Sequence, residues 1–133
     1  MARILLTGGA GFIGSHVAQS LLARGDRVTV LDNFNDFYDP RLKRRNLAHL
    51  RQAELVEGDI RDAALLERLF SSGRFDGVIH LAAMAGVRPS LKDPLHYEDV
   101  NVRGTLLILE QLRRRPETRF VFASSSSVYG AND

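Results

Sequence analysis

The sequence predicts an α/β fold, in which a doubly wound parallel sheet carries helices on both faces. Two observations indicate this fold: short apolar runs alternate with helical patterns five times, and a cluster of glycines follows the first apolar run. Strands that alternate with helices pair in parallel, because each helix carries the chain back across the sheet. The length of 133 residues suits one domain. We therefore expect a single domain over residues 1–133.

The first elements follow from apolar spacing. Arg3–Thr7 is an apolar run typical of a buried strand, and Phe12–Arg24 has apolar residues at helical spacing. Gly25 ends this helix, since glycine is favoured just after a helix C-terminus. Arg27–Leu31 is rich in β-branched residues and predicts the second strand. Asn33–Pro40 is polar and aromatic, which predicts a loop.

The middle of the chain repeats the alternation. Arg41–Ala53 predicts a helix with leucines on one side, and Glu54–Glu57 predicts a short third strand. Asp62 is a helix cap, and the helix that follows it is expected to end near Ser72, before Gly73.

The last elements are a fourth strand at Asp76–Leu81, an irregular stretch at Met84–Lys92, a long helix at Pro94–Arg115 and a fifth strand at Arg119–Ala123. Proline suits the first turn of a helix, where its missing N–H leaves nothing unpaired. The inward stripe expected for the long helix is Leu95, Val102, Leu106, Leu109 and Leu112.

Composition excludes several classes of function. There is no cysteine, which excludes disulfides, zinc–thiolate sites and thiol nucleophiles, and the four histidines have no metal-ligand spacing. We therefore expect no metal site. A net charge of +2 does not favour nucleic-acid binding. No apolar run approaches the ~20 residues of a membrane helix, so we expect a cytoplasmic protein whose partners are neither nucleic acids nor membranes.

The strongest motif is the glycine turn, in which Gly8, Gly11 and Gly14 follow the first strand with the spacing G-x-x-G-x-x-G. A tight strand-to-helix turn needs residues free to take positive φ, and a side chain there would obstruct a pyrophosphate. Gly14 lets the helix pack near the strand. The backbone N–H groups at the helix start, including those of Phe12 and Ile13, are suited to hold the anion. A tight turn without a ligand is the alternative.

A carboxylate follows at the spacing that dinucleotide sites use. Asp32 ends the second strand, 18 residues after Gly14, where a carboxylate accepts hydrogen bonds from the adenosine ribose. The same charge would repel a 2′-phosphate, and the residues that follow, beginning with Asn33, include no adjacent arginine. The pattern favours NAD over NADP as the cofactor. A solvated strand end is the alternative for Asp32.

Residues after the third and fourth strands reach the same edge of the sheet. Asp59 is suited to accept from the adenine amino group, and Ile60 is suited to cover the ring, although Asp59 could equally cap its loop. The small residues of Leu81-Ala82-Ala83 allow the cofactor's central riboses to approach, and they are equally consistent with tight core packing.

These motifs together resemble the extended short-chain dehydrogenase/reductase family over essentially all 133 residues. The resemblance is closest to the UDP-sugar 4-epimerases, and residues 32–40 and 85–90 look like UDP-glucuronate 4-epimerases in particular. It implies a Rossmann-type sheet with strand order 3-2-1-4-5 and bound NAD. The further motifs that carry it are Gly58-Asp59-Ile60, His80-Leu81-Ala82-Ala83, Asn101-Val102-Arg103-Gly104-Thr105 and Ser124-Ser125-Ser126-Ser127-Val128-Tyr129-Gly130.

The resemblance implies roles for four further residues. Ser125 would be catalytic, orienting the reacting sugar oxygen, and Ser127 would touch the sugar. Asn101 would steady the cofactor and the active-site loop. Arg88 is a candidate partner for a uronate carboxylate, with a phosphate or a neighbouring acid as alternatives. For the serines, ordinary solvation of a loop is the alternative.

The resemblance also implies the chemistry. Hydride would leave C4 of a UDP-sugar for NAD, giving a 4-keto sugar that receives hydride on its other face. The catalytic base of such enzymes belongs to a Tyr-x-x-x-Lys pair, and no tyrosine here, Tyr129 included, has the lysine. We expect residues 1–133 to be the NAD-binding N-terminal portion of a longer enzyme, ending at Asp133 before that pair and the substrate-binding part. We expect this portion alone to be inactive.

Two alternatives remain. A nucleotide-sugar 4,6-dehydratase would carry an Asp-Glu pair where this chain has Ser126 and Ser127, and a hydroxyl is a poor proton donor near neutral pH. A dinucleotide-binding module without turnover is the alternative from another class. Family members often form dimers through helices, so a homodimer through Pro94–Arg115 is possible.

Overall fold

The computed structural model describes residues 1–131 and confirms the expected fold class. Asn132 and Asp133, which end the expected domain, lie outside the described residues. Five parallel strands form one sheet in the order β3-β2-β1-β4-β5, as the resemblance implied. The strands are β1 (Arg3–Thr7), β2 (Arg27–Asp32), β3 (Glu54–Glu57), β4 (Gly77–His80) and β5 (Arg119–Phe122).

Helices connect consecutive strands. The α-helices are α1 (Phe12–Ala23), α2 (Pro40–Leu47), α3 (Ala63–Ser72), α4 (Val87–Lys92), α5 (Pro94–Glu98) and α6 (Gly104–Arg113). A π-helical turn, Asp99–Arg103, joins α5 to α6, and a 3₁₀ turn, Ser126–Tyr129, follows β5. No described helix has the length and apolar character to cross a membrane.

Alternation along the central strand separates two cores. Leu5 of β1 belongs to one apolar cluster with residues of α3 and α6, including Leu66 and Ile108. Ile4 and Leu6 belong to the other cluster, with residues of α1 and α2. Successive side chains of a strand point to opposite faces, so this division shows that helices cover both faces of the sheet.

The second helix is shorter than the expected Arg41–Ala53. It ends at Leu47, and the chain then tightens into turns in which Leu50 N donates to Leu47 O at 2.8 Å and Ala53 N donates to Leu50 O at 2.9 Å. These turns bring Leu50 into the core, where its exposed fraction is 4%. The stability gained by burying Leu50 therefore outweighs the hydrogen bonds of a longer helix.

The stretch Met84–Lys92, expected to be irregular, contains helix α4. The helix begins after Gly86, whose φ of +102° turns the chain out of the sheet. Pro89 lies in the first turn, where a missing N–H leaves no hydrogen bond unmade. The expectation of an irregular stretch was therefore wrong for Val87–Lys92, where the chain forms a short helix after the turn at Gly86.

The long helix Pro94–Arg115 is divided by the π-helical turn, and its expected inward stripe is wrong except for Leu112. Leu95, Val102, Leu106 and Leu109 are 39–78% exposed. The face that packs inward instead carries Val100, Gly104, Ile108 and Leu112. A Cβ at Gly104 would lie 2.6 Å from Ile60 Cδ1, so the absent side chain determines which face approaches the sheet.

The topology fixes where a ligand can bind. From β1 the chain adds β2 and β3 on one side, then returns to add β4 and β5 on the other. Loops that leave neighbouring strands in opposite directions open a crevice at the carboxyl ends of the strands. Here that crevice lies between β1 and β4, directly above the glycine turn.

Candidate cofactor site

The glycine turn is shaped by close contacts between strand ends. Gly8 takes a φ of +70°, and its N–H donates to Leu31 O at 2.8 Å. A Cβ at Gly8 would lie 2.8 Å from the backbone nitrogen of Ala82. Gly8 therefore needs to be glycine both for its conformation and for the approach of β4.

The other two glycines serve different purposes. Gly11 has an ordinary φ of −69°, so it needs no positive φ; a Cβ there would lie 3.2 Å from Gly8 O. A Cβ at Gly14 would collide with the same carbonyl. Gly11 thus leaves an open cradle over the turn, whereas Gly14 allows α1 to pack against it.

Helix α1 begins at this cradle. The side chains of Phe12 and Ile13 are 73% and 67% exposed, so these residues contribute to the turn through their backbone. The first N–H groups of a helix have no partner within the helix and lie at the positive end of its dipole. The arrangement fits an anion such as a diphosphate.

Asp32 is buried at the end of β2 and its carboxylate is already hydrogen-bonded. It accepts from Ala10 N at 3.2 Å, from Phe34 N at 2.9 Å and from Lys43 Nζ at 3.1 Å. Lys43 also donates to Asn35 Oδ1 at 2.9 Å. A carboxylate has about four acceptor positions, so Asp32 retains room for a ribose hydroxyl, held rigidly by its neighbours.

Lys43 is a site residue that the sequence reasoning missed. Its side chain and that of Asp32 are 7% and 4% exposed, so they form a buried ion pair. The pair requires the loop after β2 to fold back, and Phe34, with a φ of +50°, makes that reversal. A cation in the first turns of α2 opposes the helix dipole, which was the available signal that Lys43 has another partner.

The loop after β3 is ordered by an arginine that sequence analysis did not consider. Both oxygens of Asp59 accept hydrogen bonds, from Arg61 and from Asn33 Nδ2 at 3.0 Å. Arg61 also donates to Asp99 of the π-helical turn at 2.8 Å. These hydrogen bonds, chiefly those from Arg61, hold the pKa of Asp59 well below its usual range. An adenine amino group would therefore share this carboxylate with Arg61.

A chain of hydrogen bonds crosses from β1 to the π-helical turn. Ala82 N donates to Thr7 Oγ1 at 3.2 Å, and His80 lies between Thr7 Oγ1 (2.6 Å) and Thr105 Oγ1 (2.9 Å). Thr105 Oγ1 donates to Asn101 O at 2.7 Å. Burial lowers the pKa of His80 to about 4, so the imidazole is neutral at neutral pH and joins the two threonines.

Asn101 connects this series of hydrogen bonds to the loop after β4. Its Oδ1 accepts from Met84 N at 2.8 Å, and its Nδ2 donates to Met84 O at 2.9 Å. The paired hydrogen bonds hold the segment after Leu81-Ala82-Ala83 in place. In the described residues Asn101 thus contacts this segment, and its role toward the cofactor stays a prediction.

The cavity brings most of the expected cofactor residues together. It has a volume of about 210 Å³, below the ~300–1,000 Å³ of sites that enclose a whole small molecule, so a dinucleotide would extend beyond it. The expected residues that line it are Gly8, Gly11, Asp32, Asn33, Asp59, Ile60, Leu81, Ala82 and Ala83. The lining residues that the sequence reasoning missed include Asn35, Phe37, Tyr38, Lys43 and Gly58.

The expected substrate residues lie outside this cavity. Ser125 caps the 3₁₀ turn, and its Oγ accepts from Ser127 N at 3.2 Å. Both serines are exposed, and so is Arg88 on α4. The structure therefore places the three residues on open surface at the carboxyl edge, and among the described residues no hydrogen bond or ion pair joins Arg88 to either serine.

Two observations show that the cavity fits a dinucleotide. A Cβ would fill the cradle at Gly11, and the buried hydroxyl of Tyr38, beside that cradle, has no hydrogen-bond partner. The described residues contain no cluster of side chains suited to a metal ion.

Comparisons with known proteins agree with this geometry. Residues 5–133 match the family model described as GDP-mannose 4,6 dehydratase. UDP-glucuronate 4-epimerase 3 of Arabidopsis thaliana is 51% identical over 97% of the chain, and UDP-glucose 4-epimerase of Erwinia amylovora is 43% identical over 97%. The chain spans 31% and 38% of the lengths of these relatives.

Solved structures give the same result. UDP-glucose 4-epimerase of Stenotrophomonas maltophila, with bound NAD and formylated UDP-arabinopyranose, has a TM-score of 0.86 and 33% identity, covering 100% of this chain and 40% of that one. The Thermus thermophilus UDP-glucose 4-epimerase complex with NAD has a TM-score of 0.81 and 41% identity, covering 92% and 37%. The resemblance noted in the sequence is thereby confirmed, and the chain belongs to the GDP-mannose 4,6 dehydratase family.

Proposed function

We propose that residues 1–133 form the NAD-binding part of a nucleotide-sugar 4-epimerase acting on UDP-glucuronate or on UDP-glucose and UDP-galactose. The observation that carries the proposal is the cavity at the switch point of the sheet, where the glycine turn faces the buried carboxylate of Asp32. The relatives and structures described above, which are UDP-sugar 4-epimerases, support the same assignment. The expected cytoplasmic location and homodimer remain predictions.

Different residues of this chain would bind different parts of the cofactor. The N–H groups at the start of α1 would hold the diphosphate, and Asp32 would accept from the adenosine ribose. Ile60 and the small residues after β4 would border the adenine and the central riboses. When bound, NAD supplies reversible hydride acceptance at a sugar carbon.

We base the proposed sugar contacts chiefly on the four consecutive serines of residues 124–127. Ser125 would donate a hydrogen bond to the reacting sugar oxygen and orient it, a positioning effect that requires no proton transfer by the serine itself. Ser127 would contact the sugar, and Arg88 would pair with a uronate carboxylate. A base outside residues 1–133 would remove the hydroxyl proton, since no tyrosine in the chain has a lysine four residues later.

The name of the family model makes 4,6-dehydration the second candidate. Ser126 and Ser127 count against it, because neither hydroxyl replaces a carboxyl as a proton donor near neutral pH. Formation of a 4-keto-6-deoxy sugar from a nucleotide sugar would identify the dehydratase.

Coupled assays of UDP-glucuronate and UDP-galactose epimerisation test the proposal on the complete protein and on the 133-residue chain. We expect turnover by the complete protein only. In the complete protein Ser125→Ala should lower kcat by about 100-fold, comparable to the loss of one oriented donor, while NAD affinity changes less than twofold. Ser124→Ala is the matched control. Turnover by the 133-residue chain, or an inactive complete protein that contains Tyr-x-x-x-Lys, would contradict the assignment.

A further inference from the structure

The hydroxyl of Tyr38 lies beside the backbone N–H of Phe12, but it donates no hydrogen bond to any group of the described residues. Among the buried side-chain polar atoms of residues 1–131, it is the one without a hydrogen-bond partner. Buried polar groups are nearly always paired, and an exception requires a reason. The ring itself is held, because Lys43 Nζ lies 5.5 Å from its centroid. The hydroxyl oxygen is therefore held in place, and the described residues offer no acceptor for its proton.

The hydroxyl faces the glycine turn. Tyr38 Oη lies 3.6 Å from the position that a Cβ on Gly11 would occupy, in the cradle where α1 begins. The Tyr38 side chain lines the same cavity as Gly8 and Asp32. Burial, together with the charge of Asp32, raises the pKa of Tyr38 against the opposing effect of the Phe12 backbone N–H. The phenol is therefore protonated at neutral pH and can donate.

We propose that Tyr38 donates a hydrogen bond from its hydroxyl to the diphosphate of the bound dinucleotide. The proposal rests on the proposed function, because it requires a dinucleotide in the cavity. A phosphate oxygen is a charged acceptor, and hydrogen bonds to charged acceptors are stronger than neutral ones. Asp32 and Lys43 are paired with each other, which leaves Tyr38 as a side-chain donor that supplements the backbone N–H groups of α1.

Tyr38→Phe isolates the contact, because it keeps the ring beside Lys43 and removes the oxygen alone. Without cofactor, the thermal midpoint should stay the same or rise, since an unpaired buried hydroxyl is replaced by an apolar edge. The affinity for ADP and for NAD should fall about 10- to 100-fold, the range expected for a hydrogen bond to a charged group. Affinity for adenosine, which has no phosphate, should be unchanged.

The experiment is calorimetric titration of the complete protein, stripped of cofactor, with adenosine, ADP and NAD. Tyr129→Phe is the matched control, because Tyr129 is 74% exposed and does not line the cavity. Equal affinities of wild type and Tyr38→Phe for ADP would overturn the inference, as would an equal loss for adenosine and ADP. A wild-type protein that binds neither ADP nor NAD would overturn the proposed function as well.

Discussion

At the carboxyl edge of the sheet, the cofactor side and the sugar side differ in how far their candidate residues are buried and hydrogen-bonded. The cofactor side, at the ends of β1 and β2, has a buried ion pair between Asp32 and Lys43 and a glycine cradle with fixed geometry. The sugar side, at the end of β5 and on α4, has exposed residues, among them Ser125 and Arg88. The difference teaches that the cofactor side is formed by contacts among the ends of four neighbouring strands, whereas the candidate sugar residues lie exposed on separate elements.

The largest expected effect comes from filling the cradle on the cofactor side. Gly11→Val should raise the Kd for NAD by about 100-fold or more, because the branched side chain would occupy the place of the diphosphate. The φ of −69° at Gly11 is accessible to valine, so the variant should fold. Titration calorimetry measures the affinity, and circular dichroism checks the fold.

Ser20→Val, at an exposed position of α1, is the control for adding a branched residue to the same helix. Unchanged NAD affinity in folded Gly11→Val protein would show that the dinucleotide binds elsewhere. The cofactor side could then no longer be contrasted with the sugar side.

A second prediction concerns His80, which joins β1 to α6 through Thr7 and Thr105. Burial lowers the pKa of His80 to about 4 in the folded chain, against 6.5 when unfolded. The unfolded chain therefore takes up the proton first, and the free energy of unfolding falls as the pH drops through this window. Between pH 6.5 and 5 the loss should be about 1.5 kcal/mol.

Urea unfolding at the two pH values measures this loss. His80→Gln should reduce the dependence on pH, whereas His49→Gln, at an exposed position, should retain it. The same pH dependence in both variants would show that His80 is not the responsible group.

A smaller effect is expected at the ribose. Asp32→Asn should bring the NAD and NADP affinities about tenfold closer together, a change of about 1.4 kcal/mol, because the negative charge is removed while the size and shape of the side chain are kept. Lys43 already balances much of that charge at 3.1 Å, so the effect is modest. A ratio of affinities that does not change would show that space, rather than charge, excludes the 2′-phosphate.

The sequence allowed prediction of the features that depend on short stretches of chain. The parallel sheet, the glycine turn and the position of Asp32 follow from alternation and spacing, and the strand order follows from the family resemblance; the structure has this sheet and this strand order. The inward face of the long helix could not be predicted, because the contact of Gly104 with Ile60 joins residues 44 positions apart. Lys43 was missed for a similar reason, since its pairing with Asp32 requires the reversal at Phe34.

The roles of Ser125, Ser127 and Arg88 remain predictions. Each depends on a substrate position that residues 1–131 do not define, because these side chains are exposed and lie outside the cavity. Sequence resemblance could identify them as candidates, but neither spacing nor packing within the described residues brings Arg88 to the two serines.

The most direct test of the difference between the two sides is titration of the 133-residue chain with NAD and, separately, with UDP-glucuronate. We expect saturable binding of one NAD per chain and no measurable binding of UDP-glucuronate. NAD affinity should be lost in Gly11→Val. Binding of UDP-glucuronate as tight as that of NAD, or no binding of NAD by the folded chain, would contradict the claim that the cofactor side is complete in itself.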